Sequence, residues 1–226
     1  ETVTWSFMEK DIANFVNNNS SVDIQNPISN DLSTMRPSTF PNLLSSININ
    51  VSRLFINGKL FEVGPIFKGK NEEDQSMVAT GIHYGSSNEL SWIEEKRSVD
   101  VYDVKTDIFY ILDQLNVPID NLQHETFENN IYHPGKSSQL RLGKNVLANF
   151  GEINPLLLKK FDIKLPVCGF EIFLDKLDQF QIKKSSTKKG YDNNPFQLVE
   201  RDFAFLFPIE VKAIELINTI KKIDKN

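Results

Sequence analysis

The sequence predicts an α+β fold, a mostly antiparallel sheet flanked by helices, and three observations carry that prediction. Two stretches repeat apolar residues at helical spacing: Phe40, Leu43, Leu44, Ile47, Val51 and Leu54, then Val104, Ile108, Ile111, Leu112 and Leu115. Between and after them lie short runs of strand-forming residues bounded by Gly, Pro and Asn. The order of these pieces is not a regular βαβα alternation, which argues against a parallel, doubly wound sheet.

Each element has a local reason. Glu1 to Phe7 reads as a strand, followed by a helix from Glu9 to Asn17, with Ser6 and Glu9 at capping-box spacing. Asn26 to Asn30 reads as an extended loop, and the first long helix follows Pro37. Leu60–Phe67 and Met77–Tyr84 carry apolar residues on both faces, as strands covered on both sides do. The polar residues Lys68 to Ser76 between them face water. Asp103 is the expected N-cap of the second long helix. Leu122–Glu128, Gln139–Leu142 and Asn145–Ile153 read as strands, the last two joined by a turn at Gly143-Lys144. Pro155 opens a short helix to Phe161, and Cys168, Phe170, Ile172 and Leu174 alternate along one strand face. Beyond a lysine- and serine-rich stretch, Val199–Phe207 reads as a strand and Ile209–Ile220 as an amphipathic helix. One strand and one helix cannot close a core, so this tail reads as the start of a second domain, and the chain as a section of a longer polypeptide.

Composition narrows the function classes. The 226 residues are 40% hydrophobic and 24% charged, enough for one packed domain plus a small second one. The net charge of −5 argues against a basic coat for nucleic acid. A single cysteine, Cys168, excludes an internal disulfide and fits a reducing, cytoplasmic setting. No apolar run is long enough to cross a membrane, so none is expected as a partner.

Chemistry-bearing patterns are sparse. His83, His124 and His133 lack metal-ligand spacing. Gly135-Lys136-Ser137 lacks the upstream glycine of a phosphate loop, since Asn130 stands there, and it reads as a structural turn. Glu72-Glu73-Asp74 and Glu94-Glu95 read as solvated acidic groups. The four lysines of Lys183–Lys189 read as a linker, with no aromatic residue interleaved for base stacking.

Several stretches, taken in order, resemble one family. These are Asn26-Pro27-Ile28-Ser29-Asn30-Asp31-Leu32-Ser33-Thr34-Met35-Arg36-Pro37, Leu60–Phe67, Val99–Lys105, His133–Ser137, Phe150–Pro155, Phe170–Asp175 and Phe196–Ala204. The set is similar to the β subunit of bacterial phenylalanyl-tRNA synthetase and covers nearly the whole chain. The resemblance implies a class II aminoacyl-tRNA synthetase catalytic domain in degenerate form over residues 1–182, a linker at 183–194, and the start of a ferredoxin-like anticodon-binding domain at 195–226.

It also implies how the copy is degenerate. Active class II enzymes follow a strand like Phe61–Phe67 with Arg-x-Glu, the arginine clamping the ATP α-phosphate; here Lys68-Gly69-Lys70 stands instead. Lysine lacks the planar fork that grips a phosphate bidentately. The later motif carries an arginine that stacks on adenine, and the comparable stretch offers only Lys176. No catalytic residue, no metal ligand and no cofactor is therefore expected here, while the holoenzyme uses ATP and Mg²⁺. The implied role is assembly with the α subunit, with tRNA(Phe) engaged through the full-length protein. Because the resemblance sets the helix after Pro37 at the class II dimerisation position, the α-subunit contact is expected at Asn26, Pro27, Arg36, Phe40, Leu43, Leu44 and Ile47. Two alternatives are a stand-alone ATP-dependent ligase using Lys68 or Lys70, and an RNA-binding module using Lys183–Lys189.

Overall fold

In the computed structural model, residues 1–18, 21–88, 92–93, 95–177, 197 and 199–223 are described. The chain divides into two compact units, Glu1–Lys183 and Lys184–Asn226.

The first unit opens with β1 (Phe7–Met8), α1 (Lys10–Val16), β2 (Val22–Asp23) and β3 (Thr34–Met35), whose strands form a small sheet in the order β1-β3-β2. Next come α2 (Phe40–Ser52), β4 (Gly58–Phe67), β5 (Gln75–Tyr84), α3 (Val101–Gln114), β6 (Gln123–Glu125), β7 (Tyr132–Leu142), β8 (Asn145–Ile153), α4 (Pro155–Lys160) and β9 (Val167–Phe173). The six longer-range strands make one sheet in the order β4-β5-β9-β8-β7-β6, antiparallel throughout. The last strand in sequence thus enters the middle of the sheet.

Two cores sandwich it. On one face α2 buries Phe40, Leu43, Leu44 and Ile47 against Ile82, Tyr132, Ile153 and Val167. On the other, α3 buries Val104, Ile108 and Leu112 against Phe150, Phe170 and Ile172, with Cys168 among them. Fully burying each such aliphatic or aromatic side chain is worth about 1.5–3 kcal/mol. The helical stripes thus lie against the sheet at their predicted spacing.

The structure corrects several local expectations. Glu9 is the N-cap of α1 and makes no side-chain cap bond, while the Ser6 carbonyl accepts the Arg36 amide at 2.9 Å. The stripe of α2 stops at Val51, because Leu54 turns to a left-handed φ of 68° and points into solvent. Asp100, not Asp103, caps α3: it accepts from the Tyr102 and Asp103 amides, and Asp103 returns a bond to the Asp100 amide at 2.9 Å. Leu115 lies past the last turn and is partly exposed. Residues 133–136 are not a turn; they belong to β7, whose register breaks between Tyr132 and Ser137. The predicted strand at Leu122–Glu128 contracts to Gln123–Glu125. The hairpin at Gly143 forms as its spacing requires, with φ of 61° at the glycine.

One further correction concerns the surface. β4 is not covered on both sides, since α3 lies over β5, β8 and β9 and leaves β4 bare on that face. Phe61, Val63 and Met77 on that side remain 48%, 51% and 38% exposed.

In the second unit α5 spans Ala213–Ile223. Val199–Phe207 pairs with no strand among the described residues, although Phe203, Phe205 and Phe207 keep their alternation, with successive ring centroids 6.1 and 5.7 Å apart. The linker at 183–194, with its lysines, lies outside the described residues. No helix among the described residues is long and apolar enough to cross a membrane.

Candidate functional site

The α2 side of the sheet carries a row of polar residues, one from every strand. Glu62 of β4 pairs with Thr80 of β5, Thr80 with Glu171 of β9, Glu171 with Asn149 of β8, Asn149 with Gln139 of β7, and Gln139 with Glu125 of β6. Directly opposed residues in antiparallel strands share a face, so the six line up across the sheet.

The segment leading into α2 plugs this row. Arg36 Nη1 lies 2.6 Å from Glu62 Oε1, Ser38 Oγ donates to Glu171 Oε1 at 3.1 Å, and Thr39 and Thr80 share a hydroxyl hydrogen bond of 2.7 Å. Arg36, Ser38 and Thr39 are themselves buried, as buried polar groups with satisfied partners can be. Two glycines permit this close approach. A Cβ at Gly64 would collide with the Arg36 guanidinium, and one at Gly169 with the Phe40 ring. Phe40 then packs edge-on against Tyr132, centroids 5.4 Å apart, sealing the layer.

Electrostatics follow from the burial. Desolvation pushes the Glu171 carboxyl above its ordinary range, and the nearby Lys68 charge and the Ser38 bond pull it back only in part. Tyr132 is likewise pushed well up by burial. Burial also pushes the Cys168 thiol up to about 12, so it behaves as a small inert hydrophobe.

Lys68 and Lys176 follow the ends of β4 and β9, the two strands that flank β5, and come to the same end of the sheet. Lys68 and Lys70 are exposed, and the Lys68 ammonium sits 5.1 Å above the Phe173 ring. Lys176 is also exposed, on the turn that Asp175 ties to the Met77 amide at 2.8 Å. None of the three supplies a guanidinium fork. That of Arg36 is spent on Glu62, the Pro65 carbonyl and Thr4. No group of three or more His, Cys, Asp or Glu among the described residues could hold a metal ion. Among the described residues, these three lysines and the committed Arg36 do not offer the arginine fork or the metal cluster that an ATP–Mg²⁺ pair requires.

The predicted subunit-contact residues separate into two sets. Asn26 and Pro27 are exposed on their loop. Arg36, Phe40, Leu43, Leu44 and Ile47 are not surface residues: they are at most 1% exposed and form this unit's own core and polar plug. The stripe of α2 faces its own sheet, which excludes these five from a contact made on the folded surface. Glu62, Thr80 and Glu171 were not singled out from sequence. The available signal was a lone carboxylate inside each of two apolar runs, Leu60–Val63 and Gly169–Ile172.

Comparison with known proteins converges on one family. The model of the phenylalanyl tRNA synthetase beta chain CLM domain matches residues 1–174. Phenylalanine–tRNA ligase beta subunits of Rhodospirillum rubrum and Paramagnetospirillum magneticum are each 38% identical over 226 residues, and that of Bartonella quintana is 35% identical over 231. All of this chain is matched, but it spans only 28–29% of those relatives' length. Among solved structures, two of a pyrrolysyl-tRNA synthetase from Desulfitobacterium hafniense superpose with TM-scores of 0.55 and 0.56 at 16% and 15% identity. They cover 78% of this chain and 60–61% of theirs, a likeness of fold. The α+β architecture is thus that of a class II synthetase catalytic domain, and the chain belongs to the phenylalanyl-tRNA synthetase beta chain family through its CLM domain.

Proposed function

We propose that this chain is a non-catalytic, synthetase-like section of a phenylalanine–tRNA ligase β subunit, acting in the cytoplasm to support assembly with the α subunit. In this reading residues 1–182 are the synthetase-like core, and residues 195–226 begin an anticodon-binding domain. The holoenzyme attaches phenylalanine to tRNA(Phe) with ATP and Mg²⁺, and the α subunit performs the chemistry.

The observation that carries the reading is the plugged face. On the α2 side of the sheet Arg36 is locked to Glu62 and Phe40 lies against Gly169, and the positions to which the family resemblance assigns the nucleotide grip carry Lys68, Lys70 and Lys176. A synthetase fold with lysines at those positions retains shape without the guanidinium grip needed for adenylate formation. Asn26 and Pro27 remain as contact candidates on the first unit.

The test is co-purification of the full-length β subunit with its α subunit, together with aminoacylation assays of each alone. Capture of α, with activity only in the complex, is expected. A β subunit that charges tRNA unaided would refute the assignment.

A further inference from the structure

Strand β1, helix α1, the turn Asn30–Leu32 and helix α2 border an open groove of about 240 Å³. Phe7, Ile12, Leu32 and Phe161 give it apolar walls, and Glu9 and Asp31 are the charged residues that line it among the described residues. Both are exposed, so they are open to a ligand lying in the groove. Among the described residues neither carboxylate has a hydrogen-bond or ion-pair partner. Cations next to the groove in sequence are engaged elsewhere: Lys10 pairs with Asp23 at 2.6 Å, and the Lys160 ammonium sits 5.1 Å over the Phe15 ring. Two carboxylates beside apolar walls, with no cation of their own, complement an ammonium or guanidinium carried on a hydrocarbon stem.

The rim decides between a free amine and a side chain. Trp5 is largely exposed and stacks on Phe7 with centroids 6.4 Å apart, and its carbonyl accepts from Asn42 Nδ2 at 3.0 Å. Phe7 and Asn42 both line the groove, so these contacts hold Trp5 at its edge. Ile28, on the loop that leads into Asp31, is also exposed. A free amine would leave these apolar side chains in water, whereas a chain segment with apolar residues on either side of its cation would cover them.

We propose that this groove is a docking site for a lysine or arginine side chain of a partner protein, presented between apolar residues. The hydrocarbon stem lies along Phe7, Leu32 and Phe161, and the cation meets Glu9 and Asp31. The site includes none of the lysines at 68, 70 and 176, and it does not depend on the nucleotide reading.

The probes are the peptide acetyl-Leu-Lys-Leu-amide and its norleucine counterpart, which keeps the stem and lacks the ammonium. Amide chemical-shift mapping of the whole chain should show saturable shifts at Phe7, Glu9, Ile12, Asp31 and Leu32 with the lysine peptide. The norleucine peptide should bind about fivefold more weakly, and the gap should narrow as salt is raised. Glu9→Gln combined with Asp31→Asn should bring the lysine peptide down to the norleucine level. Both positions are exposed and Glu9 makes no side-chain cap bond, so this variant should fold. Ser45→Trp, which fills the groove from an exposed position on α2, should abolish binding of both peptides. Equal binding of the two peptides, or shifts that never saturate, would overturn the proposal. So would n-butylammonium binding as tightly as the lysine peptide, since the flanking segment would then contribute nothing.

Discussion

Arg36 and Glu62 meet inside the protein at 2.6 Å, with their side chains only 2% and 3% exposed. Their contact fastens the segment ahead of α2 to the middle of β4. Arg36 also donates to the Pro65 carbonyl at 2.9 Å and to Thr4 Oγ1 at 3.0 Å, and the Thr4 hydroxyl in turn donates a hydrogen bond to Glu62 Oε2 at 2.8 Å. A charge pair at this depth gains its value from being complete, because removing one partner strands the other without water.

Glu62→Ala should therefore lower unfolding stability by about 3–5 kcal/mol, read as a drop in the urea midpoint. Replacing both partners with apolar residues of similar volume, Arg36→Met with Glu62→Leu, should be markedly less damaging than the single change. Equal losses for the single and double variants would argue that the pair adds nothing beyond packing.

Glu171 carries the opposite lesson, since it is buried without a cation of its own at hydrogen-bond distance. Its carboxyl is raised above the ordinary 4.5, so the unfolded chain gives up this proton first as pH rises. Stability contributed by this group is full below about 4.5 and falls as pH climbs toward the folded value. Glu171→Gln should remove that slope and raise stability at neutral pH, provided the Ser38 bond survives. Unfolding curves at a series of pH values check it; a variant less stable than the parent at pH 7 would contradict it.

Asp103 titrates the other way. The Arg97 hydrogen bond holds its carboxyl down at about 2, with help from the Asp100 amide and Ser87 despite partial desolvation. Its contribution is present above the ordinary 3.8 and lost as pH falls through about 2. Asp103→Asn should flatten stability across that acid window. Asp100→Ala, which removes the α3 cap itself, should cost about 1 kcal/mol at neutral pH.

Cys168 should resist alkylation in the folded protein. With the thiol pushed up to about 12 by burial, thiolate at pH 8 amounts to roughly one molecule in ten thousand. Mass spectrometry after brief iodoacetamide treatment should find it unmodified in buffer and modified in denaturant. Rapid native labelling would show that β9 opens readily.

Much of this architecture was legible because hydrophobic period survives without tertiary information. The stripes of α2 and α3 and the alternation along β9 are local patterns, and each buried the face it displayed. What the stripe of α2 could not reveal is its partner, since the same spacing serves a subunit contact or a domain's own sheet. In the folded unit Phe40, Leu43, Leu44 and Ile47 serve the latter. Arg36 was misread for a related reason: its carboxylate partner lies 26 residues away on another element, and loop arginines without a visible partner look like surface. The stretch Val199–Phe207 shows the converse, a sound alternation that pairs with no strand among the described residues, and alternation alone does not supply ladder bonds.

The proposed role requires that this fold has lost its grip on the nucleotide. Phenylalanine-dependent exchange of pyrophosphate into ATP tests it directly, measured on the full-length β subunit before and after adding the α subunit. Exchange at background for β alone, appearing once α is present, is the predicted result. Exchange by β alone that disappears when Lys68, Lys70 and Lys176 are changed to alanine would contradict it.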